Sequence, residues 1–277
     1  MLLKQSGALA AGVVLGTMVA KDVDAKSKSD IPRWGMVVDL RRCTGCRSCT
    51  IACKSEFSVP LGRWNTVVKD VERGKYPNAK RDFLPRLYNH CEGTEKVGKM
   101  MVPPCVKVCP EYPKPKRAKF VTPSGKKIRY SVGATYKRPD GMVLLNNDLC
   151  IGCGKCIDAC PYGARYFNPL IQAGGDKTKH GIGKCTFCTH RVDQGVMPSC
   201  VNTCPGKARI FGDLNDPKSE VSKLVQSFKL VKNRLKTTLL PREGTIPQVY
   251  YIDPNGVLSV YRINEKTKEA EFVDKIA

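Results

Sequence analysis

Short apolar runs, broken by glycine, proline and charge, dominate this chain, and few are long enough to make a helix. Gly35-Met36-Val37-Val38 and Gly141-Met142-Val143-Leu144 are apolar runs of strand length, each leading into a cysteine-rich loop. Without polar alternation, they predict short buried strands. Phe120-Val121 and Ile128-Arg129-Tyr130 flank Ser124-Gly125 and predict a β-hairpin. Asn168 to Gly183 reads as a glycine-rich surface loop. Helical spacing runs from Ser219 to Leu235 through Val221, Leu224, Val225, Phe228 and Leu235. Gln248 to Ile252 and Leu258 to Tyr261, around the turn Asp253-Pro254-Asn255-Gly256, predict paired strands. The fold class that follows is α+β, with a helix and hairpin in the tail.

The N-terminus is different. Ser6 to Ala20 is apolar and built of small residues, and a charged stretch starts at Lys21. It is too short to span a bilayer and fits the apolar region of an export signal, with Val23-Asp24-Ala25 as a small-residue cleavage site. Met1-Leu2-Leu3-Lys4-Gln5-Ser6-Gly7 is similar to the part of a twin-arginine signal that follows the arginines, which are not present. An upstream start, or export bound to a signal-bearing partner, would account for that; a buried N-terminal helix is the structural alternative. Residues 1–25 are therefore expected to be an export-signal remnant. No other segment is long and apolar enough to cross a bilayer.

Fifteen cysteines change the picture. Cys43, Cys46, Cys49 and Cys53 form C-x2-C-x2-C-x3-C, and Cys150, Cys153, Cys156 and Cys160 repeat it. Cys185, Cys188, Cys200 and Cys204 form C-x2-C-x11-C-x3-C, whereas Cys91, Cys105 and Cys109 form C-x13-C-x3-C, one ligand short. The first spacing is that of bacterial ferredoxins, in which three thiolates hold one iron–sulfur cluster and the fourth reaches a second. Disulfides fit poorly, since neighbours this close cannot bridge several elements. Zinc knuckles use two cysteine pairs, not quartets with a proline-flanked fourth ligand. Cys109-Pro110, Cys160-Pro161 and Cys204-Pro205 place proline where a ligand-bearing helix must stop; Cys53-Lys54 does not. Gly45, Gly152 and Gly154 suit tight turns whose backbone N–H groups point at sulfur.

The formal charge is 47 − 25 = +22. A four-iron centre with four thiolates carries about −2, so four centres would leave roughly +14. The basic residues are scattered through loops, with no basic helix or stacking-aromatic motif, which argues against nucleic acid; a solvated surface is the default reading, and docking on an acidic protein partner the functional one. No nucleophile–base constellation, phosphate loop or substrate-metal motif points to independent catalysis.

From Trp34 to about Asp213 the sequence resembles the iron–sulfur subunits of the molybdopterin oxidoreductases of the dimethyl-sulfoxide-reductase superfamily, which include polysulfide, tetrathionate, arsenate and nitrate reductases. The resemblance is strongest over Cys150 to Tyr166 and Lys184 to Asp216, with a short tail match at Gly244 to Tyr251. It implies two ferredoxin-like two-cluster units with inserts: 34–60 with 184–213, and 83–110 with 141–167. Residues 111–140 are then an insert, and 214–277 a cysteine-free packing or docking tail. Carried over by position, it implies Cys43, Cys46, Cys49 and Cys204 at cluster one, and Cys53, Cys185, Cys188 and Cys200 at cluster two. Cluster three takes Cys109, Cys150, Cys153 and Cys156, and cluster four Cys91, Cys105 and Cys160.

Tyr88 stands where the family's second module usually has its first cysteine. A three-iron (3Fe-4S) centre, a four-iron centre with an unusual ligand such as Tyr88, His90 or water, or no centre at all would each answer this. His90, His180 and His190 have packing or hydrogen-bonding roles as their plainer reading, and Lys107 and Arg47 either tune potentials or are surface charges. The resemblance implies a non-catalytic electron-transfer subunit with three 4Fe-4S clusters and a fourth, 3Fe-4S or unusually ligated. Its expected partners are a molybdenum or tungsten bis-pterin catalytic subunit and a quinone-linked membrane subunit or cytochrome. It would lie in the periplasm or on the outer face of the membrane and serve anaerobic respiration. A free-standing polyferredoxin, or the β-subunit of a hydrogenase or formate dehydrogenase, is the alternative; many of the latter end in a membrane helix, whereas Lys266 to Ala277 is charged.

Overall fold

The computed structural model describes residues 30–115, 117–264 and 270–272. The expected export segment and most of the charged C-terminus lie outside the described residues. The fold is α+β, built from one three-stranded sheet, several two-stranded ribbons and short helices.

Trp34–Asp39 is the central strand of the sheet. It runs antiparallel to Arg209–Asp213, with Trp34 opposite Asp213, and parallel to Val249–Ile252, with Met36 opposite Val249. Its apolar run is buried on both faces, as a central strand requires. Side chains alternate across it. Val37 packs with Ile210, Val221, Leu230 and Tyr250, while Met36 and Val38 face the larger core that holds the cysteines.

Arg117–Val121 pairs with Lys127–Ser131, as the Ser124-Gly125 turn predicts. Val143–Leu145 pairs with Thr135–Lys137. Three expectations need correction. Residues 168–183 are not a loop: Tyr166–Ala173 pairs with Asp176–Gly183. Gly174 and Gly175 both have positive φ, 56° and 77°, which a two-residue hairpin turn needs. The helix expected to Leu235 ends at Ser227, with Lys229 at φ 50°, and a separate turn forms at Arg234–Thr237. Leu230 enters the core instead of Phe228 and Leu235, which are 40% and 75% exposed. The tail strands do not pair with each other. Val249–Ile252 joins the main sheet, and Asp253 accepts hydrogen bonds from the Val257 and Leu258 amides, turning Val257–Val260 into a 3-10 helix. The tail ribbon is Tyr261–Ile263 with Ala270–Phe272. A further ribbon that the apolar pattern gave no sign of joins Thr66–Arg73 to Lys80–Leu87.

Among the described residues no helix is long and apolar enough to cross a membrane.

Candidate metal centres

Each cysteine series wraps a loop and a short helix. In the third series Cys150 and Cys153 lie in the loop, Cys156 in the helix Lys155–Asp158 and Cys160 just after it. Pro104–Lys107 and Ser199–Asn202 likewise end shortly before Cys109-Pro110 and Cys204-Pro205. The first series, without its proline, carries the helix Ser48–Phe57 straight through Cys53. Helix Ser48–Phe57 packs on Ser199–Asn202, and Pro104–Lys107 packs on Lys155–Asp158.

This packing gathers the fifteen thiols into four groups. Cys43, Cys46, Cys49 and Cys204 line one cavity. Cys109, Cys150, Cys153 and Cys156 line another. Cys53 stands with Cys185, Cys188 and Cys200, and Cys91 with Cys105 and Cys160. Cys46 and Cys153 are exposed, Cys43, Cys109 and Cys204 half-buried, and the others buried. Burial, followed by the neighbouring thiols, pushes Cys53 far up and Cys188 up to about 12. A centre that takes thiolates would release those protons.

Backbone amides point at sulfur two residues back in three of the four loops. Gly152 N–H donates to Cys150 Sγ at 3.4 Å and Phe187 N–H to Cys185 Sγ at 3.4 Å, and the Gly45 amide bonds Cys43. Gly45 and Gly152 hold φ of 71° and 68°; Phe187 holds 56° at the same place. Its ring stacks on His90 with centroids 3.7 Å apart, and that packing holds a backbone conformation an aromatic residue otherwise avoids. Nothing in the cysteine spacing points to Phe187.

Tyr88 is buried beside the group of three. Its Oη lies 2.9 Å from Cys105 Sγ and accepts from Arg165 Nη2 at 3.2 Å. Burial drives its ionisation far up, so a neutral phenol faces the thiols. His90 points elsewhere: its Nδ1 accepts from the Val143 amide at 3.1 Å. Burial, then the charges of Lys184 and Arg165, keep it neutral. His190 Nε2 lies 2.7 Å from Glu56 Oε1, and His180 is exposed on its ribbon. Lys107 pairs with Glu95, and Arg47 with Asp70 at 2.6 Å, both as exposed surface pairs. The tail enters this region too: Thr245 bonds Tyr162 Oη at 2.5 Å and reaches Cys91.

The donor set fits iron–sulfur clusters better than single ions. Tetrahedral zinc needs sulfurs about 2.3 Å from one point. Among the described residues no three His, Cys, Asp or Glu side chains converge on a single-ion site, and the thiols of two groups surround cavities. Arg165 adds a second argument. Its Nε and Nη1 are buried without a hydrogen-bond partner. A guanidinium keeps its proton, and burying it unpaired costs several kcal/mol. A thiolate-held centre with net negative charge supplies the missing anion. The fixed cations Arg165 and Arg209 escaped the cysteine count, though the repeated Cys-Pro-x-x-Ala-Arg ending at each was visible in the sequence.

A family model described as a 4Fe-4S dicluster domain matches residues 79–214, and one described as a 4Fe-4S binding domain matches 41–58. The B component of tetrathionate reductase from Salmonella typhimurium is 36% identical over 256 residues, covering 90% of this chain and 86% of that protein. The arsenate respiratory reductase iron-sulfur subunit of a Shewanella species is 35% identical over 270 residues, 83% of this chain and 100% of the relative. The B component of polysulfide reductase from Wolinella succinogenes is 35% identical over 228 residues, 80% and 95% respectively.

Proposed function

This protein belongs to the iron–sulfur subunits of the molybdopterin oxidoreductases, and we propose that it carries electrons between a molybdenum or tungsten bis-pterin catalytic subunit and a quinone-linked membrane subunit or cytochrome. It is an electron-transfer subunit. The chemistry itself is proposed to lie in the partner, with this chain non-catalytic and held at the outer face of the membrane through its partners. Iron–sulfur centres, when bound, supply one-electron redox chemistry; the protein positions them, keeps water from the sulfurs and sets the charge around them.

The ligand sets proposed are Cys43, Cys46, Cys49 and Cys204; Cys53, Cys185, Cys188 and Cys200; Cys109, Cys150, Cys153 and Cys156; and Cys91, Cys105 and Cys160. They divide between two ferredoxin-like units, 34–60 with 184–213 and 83–110 with 141–167, which the helix pairings support. The observation that carries the reading is the continuity of the four groups. Cys49 neighbours Cys200, Cys105 neighbours Cys156, and Lys184, next to Cys185, lies 4.5 Å over the Tyr88 ring. Only the first and third sets reach the surface, through Cys46 and Cys153, which suits a relay whose ends meet two partners.

The cofactors proposed are three 4Fe-4S clusters and a 3Fe-4S cluster held by Cys91, Cys105 and Cys160. Tyr88 supports the three-iron reading, because its hydroxyl is already engaged by Arg165 and Cys105. Anaerobic purification, iron and sulfide analysis and low-temperature EPR test this. About 15 irons with an oxidised-state three-iron signal are expected. About 16 irons without that signal would mean a four-iron centre with an unusual ligand. Zinc without acid-labile sulfide would overturn the relay.

A further inference from the structure

Two of the four cysteine series end alike: Cys160-Pro161-Tyr162-Gly163-Ala164-Arg165 and Cys204-Pro205-Gly206-Lys207-Ala208-Arg209. Both arginines are buried, 3% and 2% exposed. Each is anchored by a threonine hydroxyl from a ribbon strand: Arg165 Nη2 donates to Thr135 Oγ1 at 2.9 Å, and Arg209 Nη2 to Thr66 Oγ1 at 2.7 Å. Arg165 Nη2 also reaches Cys105 Sγ at 3.2 Å.

Arg209 lines the same cavity as Cys43, Cys46, Cys49 and Cys204. Burial aside, the groups that bear on Arg165 are Cys105, Tyr88 and Cys156, and those that bear on Arg209 are Cys200, Cys49 and Tyr251. These are thiols and phenols, not carboxylates. In each case the two thiols belong to different groups. Cys105 stands with Cys91 and Cys160, while Cys156 lines the cavity with Cys109, Cys150 and Cys153. Cys49 lines the cavity with Cys43, Cys46 and Cys204, while Cys200 stands with Cys53, Cys185 and Cys188. The same device is therefore built twice, once inside each pair of groups.

We propose that Arg165 and Arg209 are charge bridges, each lying between the two centres of one pair and raising the reduction potential of both. The proposal rests on the iron–sulfur reading above. Reduction adds one negative charge to a centre, and a fixed cation beside it in a low-dielectric core stabilises the reduced form. Because the cation is shared, its effect falls on two centres at once. It also offsets the repulsion a second electron meets from the first. The guanidinium does not titrate, so the effect persists across the working pH range. These are positioning and tuning residues, not ligands.

The test is an EPR-monitored redox titration of the full-length, cluster-loaded chain, with iron and sulfide counted in each sample. In Arg209→Gln, two centres should lose at least tenfold in their reduced-to-oxidised ratio at fixed potential, which is 59 mV for a one-electron couple. The other two should stay within about threefold. Arg165→Gln should give the reciprocal pattern. Arg209→Met and Arg165→Met carry the same expectation where the Gln variants lose iron, since methionine fills a similar volume and leaves no polar group of its own unpaired in the core. The Lys variants, which keep the charge, should stay near the parent potentials. Full iron and sulfide with unchanged potentials, or a shift confined to one centre, would overturn the bridge. A parent protein without acid-labile sulfide would overturn the iron–sulfur reading instead.

Discussion

Tyr88 Oη and Cys105 Sγ lie 2.9 Å apart in a buried site, so the phenol fills the space beside the thiols of the group of three. Tyr88→Cys should therefore complete the fourth ligand set. We expect iron to rise from about 15 to about 16 per chain, and the three-iron EPR signal to vanish. Tyr88→Phe should leave the iron count unchanged; a loss of iron there would make the hydroxyl itself a ligand.

Cys156 and Cys160 are four residues apart but belong to different groups. Cys156→Ser and Cys160→Ser should therefore damage different centres, the second removing the three-iron signal and the first leaving it. EPR of the two variants side by side decides this, and the same centre lost in both would break the assignment of ligands across modules.

Much of this was legible because cluster ligation imposes spacing on sequence. The loops, the Cys-Pro helix stops and the Gly45 and Gly152 turns follow from short-range geometry. Phe187 was not legible, because its left-handed backbone is held by packing on His90 from another module. Val249–Ile252 looked like half of a hairpin, because nothing local says that its partner is Trp34–Asp39 near the other end of the chain. In the strand Thr66–Arg73, Val68 and Val71 are buried three residues apart, a spacing that hides a strand.

Arg138 links the insert to the last module. Its Nε donates to Asp140 Oδ2 at 2.9 Å, and its two Nη groups reach both oxygens of Asp193 at 2.7 Å. Asp140 is fully buried. Asp140→Ala leaves the guanidinium one buried partner short and should cost about 3–5 kcal/mol. Denaturant unfolding of the variant measures this; a cost under about 1 kcal/mol would show that Asp193 alone suffices.

Glu56, on the helix Ser48–Phe57, is held below its ordinary pKa of 4.5, first by the hydrogen bond to His190 and then by the charge of Arg191. Its folded pKa is depressed, so its contribution is fully present above pH 4.5 and is lost as pH falls through the folded value. The pair is near the surface and worth about 0.5 kcal/mol after screening. Glu56→Gln should lower the urea midpoint at pH 7, and the gap should close on acidification below that window. A gap that stays constant would assign the effect to packing.

The central strand Trp34–Asp39 is synthesised well before its neighbours Arg209–Asp213 and Val249–Ile252. The thiols of the first series wait for the last series in the same way, whereas those at 91–109 and 150–160 are nested inside and find each other sooner. Synthesis runs from the N-terminus, so the inner half of the molecule can close while the outer half is still open. The topology is thus a set of brackets: the inner pair of groups is complete in the chain by Cys160, and the outer pair only at Cys204.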